Sequence, residues 1–506
     1  MPMSTEAKLA SLKERLRVVS DLRSAANLLQ WDESTYMPTE GAVARGRQLA
    51  TLRTLAHEHF TATETGKLLD EVEPLGTELP FESDDASLIR VTRRDFDKAT
   101  RVPSSFLETL QTHTSRSYHL WAEARPEDDF AKVSDALERT VDLSREYSSF
   151  FDYDHIADPL IDASDEGMTV ATLRPLFADL RRDLVPLVEQ ITAQAEADDS
   201  VLKQHFPEKE QLELGLALAQ AFGYDFSRGR LDKTPHPFAT SFSVNDVRIT
   251  TRVAERDLSE SLYSTLHEAG HGMYEQGVSE SLEATPLASG TSSGVHESQS
   301  RLWENLVGRS RGFLEYAYPK VQKQFPKQLE QVSADTFYRA VNKVSRSLIR
   351  TDADEVTYNL HVIIRFDLEL ELLTDKLEVK DLPEAWRERY RSDLGVAPEN
   401  DSNGVLQDVH WFAGTVGGAF QGYTLGNLLS SQFYEAALQA HPNIPGQIKQ
   451  GKFDTLHTWL RENIYQHGRK LTAPEVVERA TGLVMTAEPY LRYLKTKFGE
   501  LCKSGQ

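Results

Sequence analysis

Apolar residues recur at spacings of three and four through most of the chain. Leu9, Leu12, Leu16, Val19, Leu22, Ala26 and Leu29 form one such stripe and predict a long helix over residues 6–30. Similar stripes around 85–125, 130–150, 170–200, 335–375 and 425–440 predict further helices. A period of two is best developed from Phe238 to Val253, where Asn245-Asp246 is a turn candidate; this predicts a small hairpin. The chain carries no internal repeat, no low-complexity tract and no long Pro/Gly/Ser linker. Its most linker-like stretch, Gly277 to Gly294, lies between two chemistry-bearing segments and reads as a connection within one domain. The expectation is one large, mostly α-helical unit over residues 1–506, with a small β-hairpin or sheet near the chemistry-bearing segments.

Composition narrows the class. The chain has 506 residues, 40% hydrophobic and 26% charged, ordinary values for a soluble globular protein. No run of 18 apolar residues occurs, so no membrane span is expected. The net charge of −22 argues against nucleic acid as a partner, because phosphate binding wants a basic face. The one cysteine, Cys502, rules out an intrachain disulfide and a cysteine-based zinc site. That cysteine usage, and an N-terminus without an apolar run of signal-peptide length, predict a cytoplasmic protein.

The candidate chemistry is concentrated in residues 267–271, His-Glu-Ala-Gly-His. On a helix, His267 and His271 lie one turn apart on one face and can share a tetrahedral zinc ion. Glu268 then projects beside the ion, where a carboxylate can take a proton from water. Asp257 with Glu260 resembles a capping box, and Leu258, Leu262, Leu266 and Met273 mark an apolar side. Gly270 costs such a helix about 1 kcal/mol relative to Ala, and it would let another backbone or a ligand come close. Downstream, Glu297 and Glu304 are both candidates for a third ligand, two turns apart on the next predicted helix. Two His and one Glu leave a fourth position open, as catalytic zinc requires.

These segments, with others in order along the chain, make it resemble the carboxypeptidase Taq family of zinc carboxypeptidases. Near the start stand Trp31-Asp32, Met37-Pro38, Gly41, Arg45 and Gln48; then come His236-Pro237-Phe238 and Asp246-Val247-Arg248-Ile249-Thr250. His267 to His271 and His296-Glu297-Ser298-Gln299 follow, then Ile349-Arg350-Thr351-Asp352, the run from Gly404 to His410-Trp411, and a C-terminal PYLRYLKTKF. The resemblance implies a helical, saddle-like fold with a deep substrate groove, a homodimer, and release of single residues from peptide C-termini with broad specificity. By position it implies His267, His271 and Glu297 as zinc ligands, with cobalt or manganese as substitutes, and Glu268 as general base. It implies Arg350 as the grip on the substrate carboxylate, since arginine binds carboxylates bidentately. His410 and Tyr423 would sit near the oxyanion, and His236, Asp246 and Arg248 would line or close the groove.

The chain departs from the family where Ala419, Gln421 and Gly422 stand in place of tyrosine, proline and threonine before Tyr423, which predicts a roomier loop; ASDEGM at 163–168 departs as well. Blander readings attach to other residues. His57 and His59 do not share a helix face and read as surface; His361, in an apolar run, reads as a core histidine. Arg365 is an alternative carboxylate binder, and Arg350 has Asp352 or Asp354 as potential ion-pair partners. The competing functions are a zinc endopeptidase or dipeptidyl peptidase, and a catalytically silent zinc-binding protein. The intact Glu268 argues against the last.

Overall fold

The computed structural model describes residues 4–194 and 196–503. The side chains of residues 502 and 503, and so that of the sole cysteine, Cys502, lie outside the described set. Helices make up 69% of the chain, the class that the apolar spacing predicts. The first runs Thr5–Thr35, with Ser4 accepting from the Ala7 N–H at 3.3 Å as its cap and Leu9, Leu12, Leu16 and Val19 buried along one stripe. The stripe at 85–125 is two helices, Asp84–Arg101 and Ser104–Glu127, parted at Val102-Pro103. Steric crowding by Pro103 disfavours helical geometry at the residue before it. The stripe at 335–375 is likewise broken. Helices Ala334–Val341 and Tyr358–Leu373 flank an irregular segment, 342–357, that carries Arg350.

The small sheet has three strands rather than the two of a hairpin. β1 (Leu231–Lys233), β2 (Ala239–Ser243) and β3 (Asp246–Thr251) are ordered β1-β3-β2, with β3 antiparallel to β2 and parallel to β1. Three residues are too few for β1 to be read from alternation. Ser243 pairs with Asp246, so the turn is Val244-Asn245, one residue earlier than predicted. Val244 is buried among Leu9, Leu12 and Leu16 of the first helix and Val278, Leu282 and Leu287, and that packing overrides the local turn preference of Asn-Asp.

Two large apolar cores dominate the molecule. One gathers Leu360, Val362, Ile363, Ile364 and Phe366 of the helix Tyr358–Leu373 with residues from 124–191, 379–428 and 487–498. The other surrounds the helix Leu258–Gly277. Helix Gln421–Ala440 belongs to both: Leu425 and Leu428 enter the first core, Leu429 and Phe433 the second. Among the described residues no helix is long and apolar enough to cross a membrane.

Candidate metal centre

The His-Glu-Ala-Gly-His segment lies within the helix Leu258–Gly277. Asp257 caps it, accepting from the Ser259 N–H at 3.0 Å. The second half of the predicted capping box is absent. The Asp257 N–H donates to Ala254 O at 3.1 Å, and Glu260 is taken by Arg252 at 2.8 Å. The sheet braces this helix: Thr251 of β3 contacts the Ser264 hydroxyl at 2.8 Å and receives that of Thr265 at 2.9 Å.

Two glycines then bring in the helix Ser293–Arg301. A Cβ on Gly270 would lie 2.6 Å from Gln299 O and 2.7 Å from Ser300 Cα. One on Gly426, from the opposite side, would lie 2.6 Å from the Cβ of Glu297. The predicted close approach at Gly270 is therefore to the backbone of this second helix. As a result Glu297 Oε2 stands 3.6 Å from His267 Nε2 and 3.4 Å from His271 Nε2. Four tetrahedral ligands about 2.0–2.2 Å from one ion would be separated by roughly 3.3–3.6 Å. His267, His271 and Glu297 form the one group of this kind among the described residues.

Partners behind the three residues fix which atoms face the centre. His267 Nδ1 pairs with Glu304 Oε2 at 2.8 Å. His271 Nδ1 lies 2.6 Å from His296 Nδ1, and His296 Nε2 lies 2.8 Å from Glu275 Oε1. A carboxylate only accepts, so a neutral His296 that donates to Glu275 from Nε2 receives the Nδ1–H of His271. With each Nδ1 engaged, both rings turn Nε2 toward Glu297, whose other oxygen is held by Arg301 Nε at 2.7 Å. Glu304 thus serves Nδ1 of His267, with Arg301 and Arg309 at 3.3 and 3.2 Å, and stands outside the convergence. Past Arg301 the helix widens into a π-helical turn, Leu302–Val307, which carries Glu304; such turns concentrate at functional sites.

Burial sets the charge states. It pushes Glu268 up to about 7, with Glu297 adding and His267 opposing. A cation held by the neighbouring ligands would favour the ionised form. Burial drives His271 down to about 3, which keeps it neutral, as a metal ligand must be. Burial opposes ionisation of Glu297, yet Arg301 and the two histidines hold its carboxyl well below the usual range.

A second cluster gathers the remaining predicted residues. Arg350 donates to both oxygens of Asp408, at 3.0 and 2.8 Å, and to the Tyr358 hydroxyl at 3.0 Å. Its partner is Asp408, neither Asp352 nor Asp354. Of its five N–H groups, two have no acceptor among the described residues. Arg365 is fully buried and donates to Asp408, Gln407, the His361 carbonyl and the Tyr390 hydroxyl, so it is not available to grip a substrate. His361 is a core histidine, bonded to Tyr390 at 2.9 Å. His410 Nε2 lies 3.3 Å from the Tyr423 hydroxyl. Burial pushes Tyr423 up to about 12, which keeps its O–H a donor at neutral pH.

A cleft of about 650 Å³ opens onto the centre, lined by His271, His296, Glu297 and Tyr423 with Ser289–Ser293 and the charged pairs of Lys98 with Asp162 and Arg469 with Asp95. His236, Asp246 and Arg248 are not in its lining. Arg248 pairs with Asp246 at 2.9 Å and lies over the Trp31 ring, and His236 is exposed. At the altered loop, Ala419 and Gly422 line the cleft. Gln421 and Gly422 are buried, and a Cβ on Gly422 would collide with Ser293 Oγ. Sequence reasoning missed Glu275, the orienting role of His296, and Asp408. Glu275 follows His271 by four residues, the spacing that puts both on one helix face.

The profile of the family described as carboxypeptidase Taq (M32) metallopeptidase matches residues 11–498. The chain is similar to thermostable carboxypeptidase 1 of Thermus thermophilus, 40% identical over 99% of this chain and 100% of that one. It is 34% identical to carboxypeptidase 1 of Bacillus subtilis, over 96% and 97% of the two chains. The crystal structure of an M32 carboxypeptidase from Deinococcus radiodurans matches with a TM-score of 0.95 at 48% identity, covering 98% of this chain and 99% of that one.

Proposed function

Since the chain belongs to the carboxypeptidase Taq (M32) metallopeptidase family, and is thus a hydrolase acting on peptide bonds, we propose that it is a zinc-dependent carboxypeptidase releasing single residues from peptide C-termini with broad specificity. The observation that carries the metal reading is the convergence of His267 Nε2, His271 Nε2 and Glu297 Oε2, with each ring's Nδ1 already bonded. The donor set suits zinc, and cobalt or manganese as substitutes. Bound there, the ion would supply a Lewis acid and lower the pKa of water to about 7.

The protein's own groups divide the remaining work. Glu268, buried beside His267, takes the proton of the attacking water and passes it to the leaving amine. Tyr423, with His410 against its hydroxyl, donates to the oxygen on which negative charge develops. One such donor is typically worth about 2.7–4 kcal/mol of barrier. Arg350, held rigid by Asp408 and Tyr358, offers its two remaining N–H groups to the substrate's terminal carboxylate. His236, between β1 and β2, and Asp246 and Arg248 of β3 would line or close the groove. We further propose a homodimer, on the family resemblance, in the cytoplasm, consistent with a single cysteine.

Chelation should abolish peptide hydrolysis, and one equivalent of zinc per chain should restore it. Hydrolysis that survives complete metal removal would overturn the metal reading.

A further inference from the structure

Asp165 is a carboxylate with no exposure to solvent, placed between the two helices that frame the cleft. Its Oδ1 receives the Gly294 N–H at 2.6 Å; its Oδ2 receives the Ser293 hydroxyl at 2.8 Å and the Gln421 amide at 3.0 Å. Next to it, Ser164 O accepts the Ser293 N–H at 2.8 Å, and the Ser164 hydroxyl accepts from Gln421 at 2.9 Å. Ser293 and Gly294 open the helix that carries Glu297 one turn on. Gln421 opens the helix that carries Tyr423 two residues on. The residue before Ser293, Ser292, is held at φ 36°, a strained conformation for a residue with a side chain. These contacts keep that turn in place. Burial pushes the Asp165 carboxyl up, and the donors around it act in the opposite sense.

Gly294, Ser293 and Gln421 all donate to this carboxylate, and between them they occupy both oxygens. An ordinary helix cap would satisfy one helix; this carboxylate satisfies two at once. Both stand over the same cleft, and Gly426 of the second helix packs on the Glu297 side chain. The link therefore constrains the offset between Glu297 and Tyr423 as well as the fold.

We propose that Asp165 is a positioning residue, setting Glu297 and Tyr423 in register across the cleft through Ser293 and Gly294 on one side and Gln421 on the other. This rests on the reading of Glu297 as a metal ligand and Tyr423 as a donor to the reacting carbonyl.

The test uses the full-length protein carrying Asp165→Asn, which preserves shape but replaces one of the two acceptor oxygens with an N–H₂. Zinc affinity is measured by chelator competition, geometry by the visible spectrum of the cobalt form, and turnover as separate kcat and KM. The role predicts about a tenfold or greater loss of zinc affinity, within the range seen when partners of metal ligands are removed. It also predicts a changed cobalt spectrum and a lower kcat at nearly unchanged KM. A folded Asp165→Asn protein with wild-type affinity, spectrum and kcat overturns the proposal and leaves the metal reading intact. If wild type itself binds no zinc, the underlying reading fails and this one with it. Should Asp165→Asn not fold, Gln421→Leu cuts the Tyr423 arm, with its bonds to Ser164 and Gly418, and leaves Ser293 and Gly294 on Asp165: it should lower kcat while zinc affinity stays the same, and a wild-type kcat there overturns the proposal.

Discussion

Each histidine facing the metal centre has one ring nitrogen already engaged, and Glu268 beside them has burial as the main influence on its proton. Those facts separate metal binding from proton transfer. Glu268→Gln should keep one metal per chain, by elemental analysis, while turnover falls on the order of 10²–10⁴-fold, the usual worth of a general base. Unchanged turnover would remove Glu268 from the mechanism. Arg350→Ala should weaken cleavage of free-acid peptides far more than of the same peptides amidated at the C-terminus, because only the former present a carboxylate. Equal losses would reduce Arg350 to a partner of Asp408. Glu304 carries a pH prediction. Burial opposes its ionisation, but His267 and Arg301 bring its carboxyl down to about 2 in the metal-free protein. A carboxyl depressed by folding stabilises the native state above its unfolded pKa of about 4.3 and loses that contribution as pH falls through the folded value. The metal-free stability gap between wild type and Glu304→Gln, from urea melts, should be full near neutral pH and shrink below about pH 4. A gap independent of pH would contradict this charge assignment.

At the scale of elements, glycine marks where helices touch. Gly270→Ala removes the helix penalty of about 1 kcal/mol but drives a methyl group into the backbone at Gln299 and Ser300. Overpacking of this kind costs about 1–3 kcal/mol, so net destabilisation and weaker metal binding are expected. Gly46→Ala is the control. It lies in the helix Ala42–Thr61 with open space where its Cβ would go, and should stabilise the protein by up to about 1 kcal/mol. Thermal unfolding of both variants checks the pair; similar shifts would show that contact at Gly270 does not matter. The sequence made the metal helix legible because its cap, its apolar side and its histidine spacing all agree. It hid the break at 342–357 because the competing bonds come from across that segment. Asp354 accepts the N–H groups of Ser345, Val356 and Thr357, at 3.0, 2.9 and 3.1 Å, and so offers the backbone an alternative to helix. The hairpin was legible in place but not in register, since burial of Val244 outweighed the local preference of Asn245-Asp246.

Over the whole molecule, the site stands where the two large cores meet. Helix Gln421–Ala440 enters both, so residues far apart in sequence face one cleft. Local pattern could name His267, Glu268 and His271. It could not choose between Glu297 and Glu304, or find Asp408 between Arg350 and Arg365, because those assignments depend on how separate segments meet. Removal of single C-terminal residues by a metal-dependent site leaves a product pattern of its own. Mass spectrometry of a varied peptide set, incubated with the zinc-loaded protein and with its chelated form, reads that pattern. Stepwise loss of one C-terminal residue at a time, abolished by chelation, is expected. Internal cuts, release of dipeptides, or cleavage that persists without metal would rule the carboxypeptidase reading out.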